Sequence, residues 1–196
     1  MTKLYGLHHH AKPTWKLRET LDFYENTLGL KLLQCLVAKG WGGPDEHPDF
    51  LHFFFDAGNG ATIAFFYYLG TERPPEYEVK DIYSHRATHV AWNCNSAEEL
   101  DAWQQRLESK GVKLMYRVAH EVVESIYFQD PNGYYIEIGY PVRDFTELDA
   151  TDAKLSLQTV IEMEDEIEGG PFRIEDVWER KGQKLKEKKA QMEGAV

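Results

Sequence analysis

Two stretches of this chain, residues 4–69 and 87–141, repeat one order of apolar periods and turn residues. In the first, Leu17, Leu21, Tyr24 and Leu28 recur at spacings of three and four, which predicts a helix over 18–28 that Gly29 ends. A strand is expected before it at 4–12. Three more are expected after it at 31–39, 50–56 and 62–69, rich in Leu, Phe, Val and Tyr and parted by Gly, Pro, Asn and Asp. The second stretch repeats this with a strand at 89–94, Ser96 as N-cap, Glu98 and Glu99 in the first helical turn, and an apolar face of Leu100, Trp103 and Leu107. Gly111 stops that helix as Gly29 stops the other, and strands at 112–117, 122–128 and 134–140 complete the copy. Even the turns before the last strands agree, Asp-Ala-Gly-Asn-Gly at 56–60 against Asp-Pro-Asn-Gly at 130–133.

An internal repeat decides architecture before any single element does. The expected fold is α+β, with two tandem βαβββ modules at 1–69 and 87–141 and a helical C-terminal extension at 142–196. A linker at 70–86, marked by Pro74-Pro75, joins the modules. In the extension, 155–167 is acidic and partly periodic, Gly169-Gly170 interrupts it, and 174–191 reads as a charged helix with a basic run at 181–189. That tail suits a helical wrap over the sheet or a subunit contact in a homodimer or higher oligomer, with polyanion binding as the other use of a basic run.

A formal net charge of -11 argues against nucleic acid as a partner, since phosphate binding needs a basic face. The longest apolar runs, such as 63–69, are too short to span a bilayer, so no membrane partner is expected. With no signal-peptide pattern at the amino terminus, and with Cys35 and Cys94 lacking any C-x-x-C spacing, the expected setting is cytoplasmic with reduced thiols.

Pleat alternation divides the triplet His8-His9-His10. Tyr5, Leu7, His9 and Ala11 share one face of the expected strand, and Gly6, His8, His10 and Lys12 share the other. His89 occupies the place of His9 in the second copy. Glu137 is the one carboxylate in an otherwise apolar last strand, and a buried carboxylate asks for a cation that neutral imidazoles do not supply. A divalent metal would supply it, held by His9, His89 and Glu137 in a facial triad of the non-haem iron kind, or as zinc with water in a fourth position. A lone strand histidine is more often core or solvent-facing, and it is the repeat that lifts this pair above that reading.

Taken together, His9-His-Ala, Leu21-Asp-Phe-Tyr24 and Leu28-Gly29 in the first copy, with Thr88-His-Val-Ala, Asp130-Pro-Asn-Gly133 and Ile136-Glu-Ile138 in the second, resemble the vicinal oxygen chelate superfamily. This superfamily includes glyoxalase I, extradiol ring-cleaving dioxygenases, fosfomycin-resistance thiol transferases, methylmalonyl-CoA epimerase and bleomycin-binding proteins. The resemblance covers roughly residues 4–141. It implies a cupped mixed sheet around a metal, with ligands on the first and last strands of the modules. Glyoxalase-like members carry a further carboxylate where Ala64 stands here, four residues after Gly60, which favours the three-ligand dioxygenase type. Ser125-Ile-Tyr127, Pro131-Asn-Gly133 and Glu137-Ile-Gly-Tyr140 also match the extradiol pattern. By that match, Tyr127 corresponds to the tyrosine that hydrogen-bonds a metal-held catecholate, and His120 to a histidine upstream of it.

The resemblance therefore implies an Fe(II)-dependent extradiol-type dioxygenase taking a small aromatic diol and molecular oxygen. His120 and Tyr127 would be its catalytic residues, and aromatics such as Phe53, Phe55, Phe65 and Tyr67, where they face the cup, its apolar wall. One departure is Ala61, where the extradiol pattern places an acid-base histidine; His52 or His85 would have to substitute. The alternatives are an isomerase, epimerase or lyase using Mn, Zn or Ni, and a metal-free module that binds an aromatic compound or antibiotic.

Overall fold

The computed structural model describes residues 2–42, 47–167 and 172–193. The first module runs β1 (His9–Thr14), α1 (Leu17–Asp22) with one π-helical turn at Phe23–Thr27, β2 (Leu32–Ala38), β3 (Phe50–Gly58) and β4 (Ala61–Tyr68). A 3-10 turn (Pro75–Tyr77) and the short helix α2 (Tyr83–Arg86) follow. The second module runs β5 (His89–Asn93), α3 (Ala97–Ser109), β6 (Tyr116–Ala119), β7 (Val123–Gln129) and β8 (Tyr135–Pro141). Each module forms its own four-stranded sheet, ordered β1-β4-β3-β2 and β5-β8-β7-β6, so the mixed sheet of the repeat is two halves of identical topology. In each half the first and last strands pair in parallel and the other neighbours antiparallel.

One apolar cluster holds the modules together. Phe23, Tyr24 and Leu28 meet Phe53, Phe55, Ile63 and Phe65 from the first sheet, Leu100 and Leu107 from α3, and Ile126, Phe128, Ile136 and Ile138 from the second. Full burial of such side chains is worth roughly 1.5–3 kcal/mol each. Ser96 caps α3 by accepting a hydrogen bond from the Glu99 N–H, as its position predicts. The junction also carries a buried polar network. The Tyr24 hydroxyl donates to Asp130 and Thr14 donates to Asn132, and at the edge of the junction the exposed Arg106 donates to the Thr27 carbonyl.

Some expected elements shift. The first strand begins at His9 rather than at residue 4, because its parallel partner β4 starts only at Ala61, after the turn at 58–60, and leaves 4–8 nothing to pair with beyond the His8 carbonyl. Residues 112–115 are not strand. The Val112 N–H returns to the Leu107 carbonyl as the chain leaves α3, and pairing starts only at Tyr116. The aromatic wall is also reassigned. Phe53, Phe55 and Phe65 lie in the core cluster with Tyr67 packed on it, so the opposite face of the first sheet carries His52, Phe54 and Phe66 instead.

The chain divides into two compact units, the second beginning at Arg143. Its helices are α4 (Glu147–Ile167) and α5 (Ile174–Glu193), and the Gly169-Gly170 interruption lies outside the described residues. Part of the basic run is neutralised inside this unit. Lys181 pairs with Asp152 and Lys184 with Glu162, and Arg180 just before the run pairs with Glu166.

Candidate functional site

The strand register makes the equivalence of the two copies concrete. His9 pairs with Thr62, two residues past Gly60, and His89 pairs with Tyr135, two residues past Gly133. One pleat further, Ala11 faces Ala64 while Ala91 faces Glu137. In both sheets these positions alternate with the core residues (Ile63 and Phe65, Ile136 and Ile138), so His9, His89 and Glu137 all stand on the face turned away from the core cluster.

On the second sheet this face gathers a compact polar group. His89 sits at the start of β5, where α2 has just ended, and its Nδ1 lies 2.8 Å from the Arg86 carbonyl oxygen. A carbonyl only accepts, so Nδ1 carries the hydrogen, and Nε2 is the lone-pair nitrogen of the neutral ring. That Nε2 lies 2.8 Å from Oε2 of Glu137. The other carboxylate oxygen accepts a 2.5 Å hydrogen bond from the Ser125 hydroxyl, which comes from β7. Tyr127 stands opposite Glu137 in the β7–β8 pairing, and its hydroxyl is 3.2 Å from Nε2 of His120, just past the end of β6. Burial first, and then the Glu137 carboxylate, push the Tyr127 phenol up to about 12, so it remains a proton donor at neutral pH. Tyr116 packs on Tyr127 with ring centroids 4.7 Å apart.

The donor set fits a divalent metal. Two acceptor lone pairs, an imidazole nitrogen and a carboxylate oxygen, face each other across 2.8 Å, and only a proton or a cation reconciles them. A ligand histidine typically donates its other ring N–H to a carbonyl or carboxylate, as His89 does.

His9 is placed differently. It is exposed, its Nδ1 lies 2.8 Å from that of His8, and its ring approaches His52 at 6.3 Å and Phe54 at 5.9 Å. Among the described residues, no group of three or more His, Cys, Asp or Glu side chains stands together as a metal cluster. The structure therefore brings together His89 with Glu137, and His120 with Tyr127, and it leaves His9 beside His8 and His52. His52 is buried and stacked on Phe66 at 3.7 Å, with its Nδ1 3.1 Å from the Phe65 carbonyl oxygen. His85 accepts from the Lys80 N–H.

Three contributors had no role assigned from the sequence: the Arg86 carbonyl, and the Ser125 hydroxyl and Gly139, which entered only as letters of the matched pattern. Gly139 pairs with Ser125, and a Cβ there would stand 2.3 Å from the serine hydroxyl. The glycine thus makes room for the group that orients Glu137, and the Glu-x-Gly spacing was its visible signal. Gly139→Ala is expected to displace Ser125, to destabilise the fold by about 1–3 kcal/mol as overpacking does, and to weaken metal affinity about tenfold. Denaturant melts and equilibrium dialysis with Zn(II) read the two effects separately.

A family model described as the Glyoxalase/Bleomycin resistance protein/Dioxygenase superfamily matches residues 6–138. No curated protein matches the chain. Among solved structures, a glyoxylase/bleomycin resistance protein/dioxygenase domain from Frankia sp. EAN1pec is 17% identical with a TM-score of 0.53, covering 73% of this chain and 96% of its own. A glyoxalase/dioxygenase from Nostoc punctiforme is 19% identical with a TM-score of 0.52, covering 73% and 99%. A genomically encoded fosfomycin resistance protein from Listeria monocytogenes is 20% identical with a TM-score of 0.50, covering 69% and 93%. At these identities the likeness is one of fold. No described helix is long and apolar enough to cross a membrane.

Proposed function

The chain belongs to the glyoxalase/bleomycin resistance protein/dioxygenase superfamily, and we propose that within it this protein is an Fe(II)-dependent extradiol-type dioxygenase acting on a small catechol-like aromatic. The observation that carries the reading is the opposition of His89 Nε2 and Glu137 Oε2 at 2.8 Å, each side chain fixed from behind by Arg86 or Ser125. His89 and Glu137 would hold the metal. His9 would join them as third ligand, on the strength of its matching register in the first sheet.

Bound there, a divalent metal supplies Lewis acidity that favours the deprotonated form of a vicinal diol. The protein's own side chains do the rest. Tyr127, protonated at neutral pH and one strand across from Glu137, offers a hydrogen bond to an oxyanion placed beside the carboxylate. His120 shares a hydrogen bond with that phenol and so gives the proton a second resting place. Tyr116 and Tyr127 present ring surface to an aromatic substrate.

Oxygen uptake by the anaerobically Fe(II)-loaded protein, measured with a panel of catechols, tests this. Uptake is expected with at least one catechol, and His120→Ala is expected to slow it at least about 100-fold. No uptake with any catechol would overturn ring cleavage. Among the histidines of the triplet, His9→Ala is expected to abolish metal binding while His8→Ala and His10→Ala leave it largely intact, and equal losses from all three would overturn the register argument.

A second reading, a divalent-metal isomerase, epimerase or lyase, is favoured by Ala61. At that place the dioxygenase pattern puts its acid-base histidine, and His52 is committed to the Phe65 carbonyl and to stacking on Phe66. Activity with Mn, Zn or Ni but not with Fe(II) and oxygen would support it.

A further inference from the structure

The side chain of Lys12 is a cation that the proposed metal chemistry does not use. It projects from β1 toward the core side and is 7% exposed. Its ammonium makes no hydrogen bond or ion pair with any described residue. What it has is the face of Tyr134, with Nζ 4.6 Å from the ring centroid, and the more distant field of the buried Asp130 carboxylate. Burial pushes this ammonium below the usual lysine range, and Asp130 offsets part of the effect.

A buried lysine without a counter-ion is costly unless something else meets its charge. The ammonium is not sealed in. The side chain borders open space on both sides of β1. Lys12 lines two adjoining pockets of about 350 and 310 Å³ that share Ala11, Lys12, Pro13 and Tyr77.

Both pockets have walls suited to a ring. Trp15, Phe66 and Tyr68 line the first, and Tyr134 and Tyr135 the second. His85 also lines the second. Its Nδ1 accepts from the Lys80 N–H, so its Nε2 carries the hydrogen and is a donor. The carboxylates nearby, Glu72, Glu76 and Glu78, are exposed at the rim, where solvent screens them. None of His9, His89, His120, Tyr127 or Glu137 lines either pocket.

We propose that this groove is a second ligand site, one that takes a small aromatic carboxylate with its anionic group on Lys12 and its ring against Tyr77 and Tyr134. The carboxylate completes the charge pair that the fold leaves open, while the aromatic walls bury the ring. Specificity follows from the same arrangement: a neutral analogue leaves the ammonium unmet, and a charge-assisted hydrogen bond is worth about 10- to 100-fold in affinity.

The test uses the metal-free full chain with 2-naphthoate and its neutral counterpart 2-naphthylmethanol, followed by calorimetry and ligand fluorescence. Saturable one-to-one binding of the acid is expected, at least about tenfold tighter than the alcohol. Lys12→Met, which keeps the apolar stem and removes the charge, should lose the acid preference but still bind the alcohol. Glu137→Gln should bind the acid within about twofold of wild type, which keeps this outcome separate from the fate of the metal site. No saturable acid binding, equal affinity for acid and alcohol, or undiminished acid binding by Lys12→Met would each overturn the proposal. The comparison of acid with alcohol is made on the wild type, so it decides the matter even if the variant fails to fold.

Discussion

Glu137→Gln is expected to lower the affinity of the chain for a divalent metal at least about 100-fold while leaving the fold in place. The amide is nearly isosteric with the carboxylate. Its oxygen can accept from Ser125 as Glu137 does, and its NH2 can donate to the lone-pair nitrogen of His89. What disappears is the negative charge and one acceptor at the point where His89 Nε2 and Glu137 Oε2 converge. Because a ligand that binds only the folded state raises the unfolding midpoint, saturating Zn(II) should stabilise the wild type against heat and leave Glu137→Gln unmoved. Equal stabilisation of both proteins would place the metal elsewhere.

Asp130→Ala is expected to destabilise the first unit by about 3–5 kcal/mol, one of the larger effects open to a single substitution here. The carboxylate is 4% exposed and accepts four hydrogen bonds: from the backbone N–H groups of Asn132 and Tyr134, the Asn132 amide and the Tyr24 hydroxyl. Removing it leaves buried donors without partners. It also loosens the turn that launches β8, the strand that carries Glu137. Asp130→Asn should cost less, about 1–2 kcal/mol, because the amide oxygen still accepts from the two backbone N–H groups and only the acceptor facing the Tyr24 hydroxyl and the Asn132 amide is lost. Urea unfolding with a shift below about 1 kcal/mol for the alanine variant would remove Asp130 from the role of junction anchor.

The fold was largely legible because it is written twice. A repeated helix stop at Gly29 and Gly111, and matched turns before β4 and β8, fix the order of elements whatever happens at their ends. The ends depended on partners that lie far off in sequence. The first strand could not extend back through residues 4–8 because its neighbour stops at a turn more than forty residues away. The π-helical turn at Phe23–Thr27 depends on the Leu28 N–H reaching the Phe23 carbonyl, which apolar periodicity does not register. The start of α4 was legible and was overlooked. Thr146 and Asp149 exchange hydrogen bonds as a capping box, and α4 begins at Glu147, eight residues before the acidic, partly periodic stretch at 155–167.

At the site, His89 and Glu137 were expected from the repeat and from one lone carboxylate, Tyr127 and His120 only from the resemblance to the extradiol pattern, and the structure places these four side chains in two pairs. The aromatic wall was misassigned although the information was present. The register that equates Ala64 with Glu137 also turns Phe65 to the other face, toward the core. The buried state of Lys12 was not legible, since one strand face had to be known before a lysine could be recognised as enclosed by Tyr134 and the linker.

Zinc(II) titration of the 15N-labelled protein, followed through the imidazole nitrogens, addresses the metal assignment most directly. The expected result is a shift of Nε2 of His89 at one equivalent, with Nδ1 still protonated on the Arg86 carbonyl and His8 and His10 unchanged. A His89 ring that stays unmoved while the metal is taken up by other histidines would contradict it.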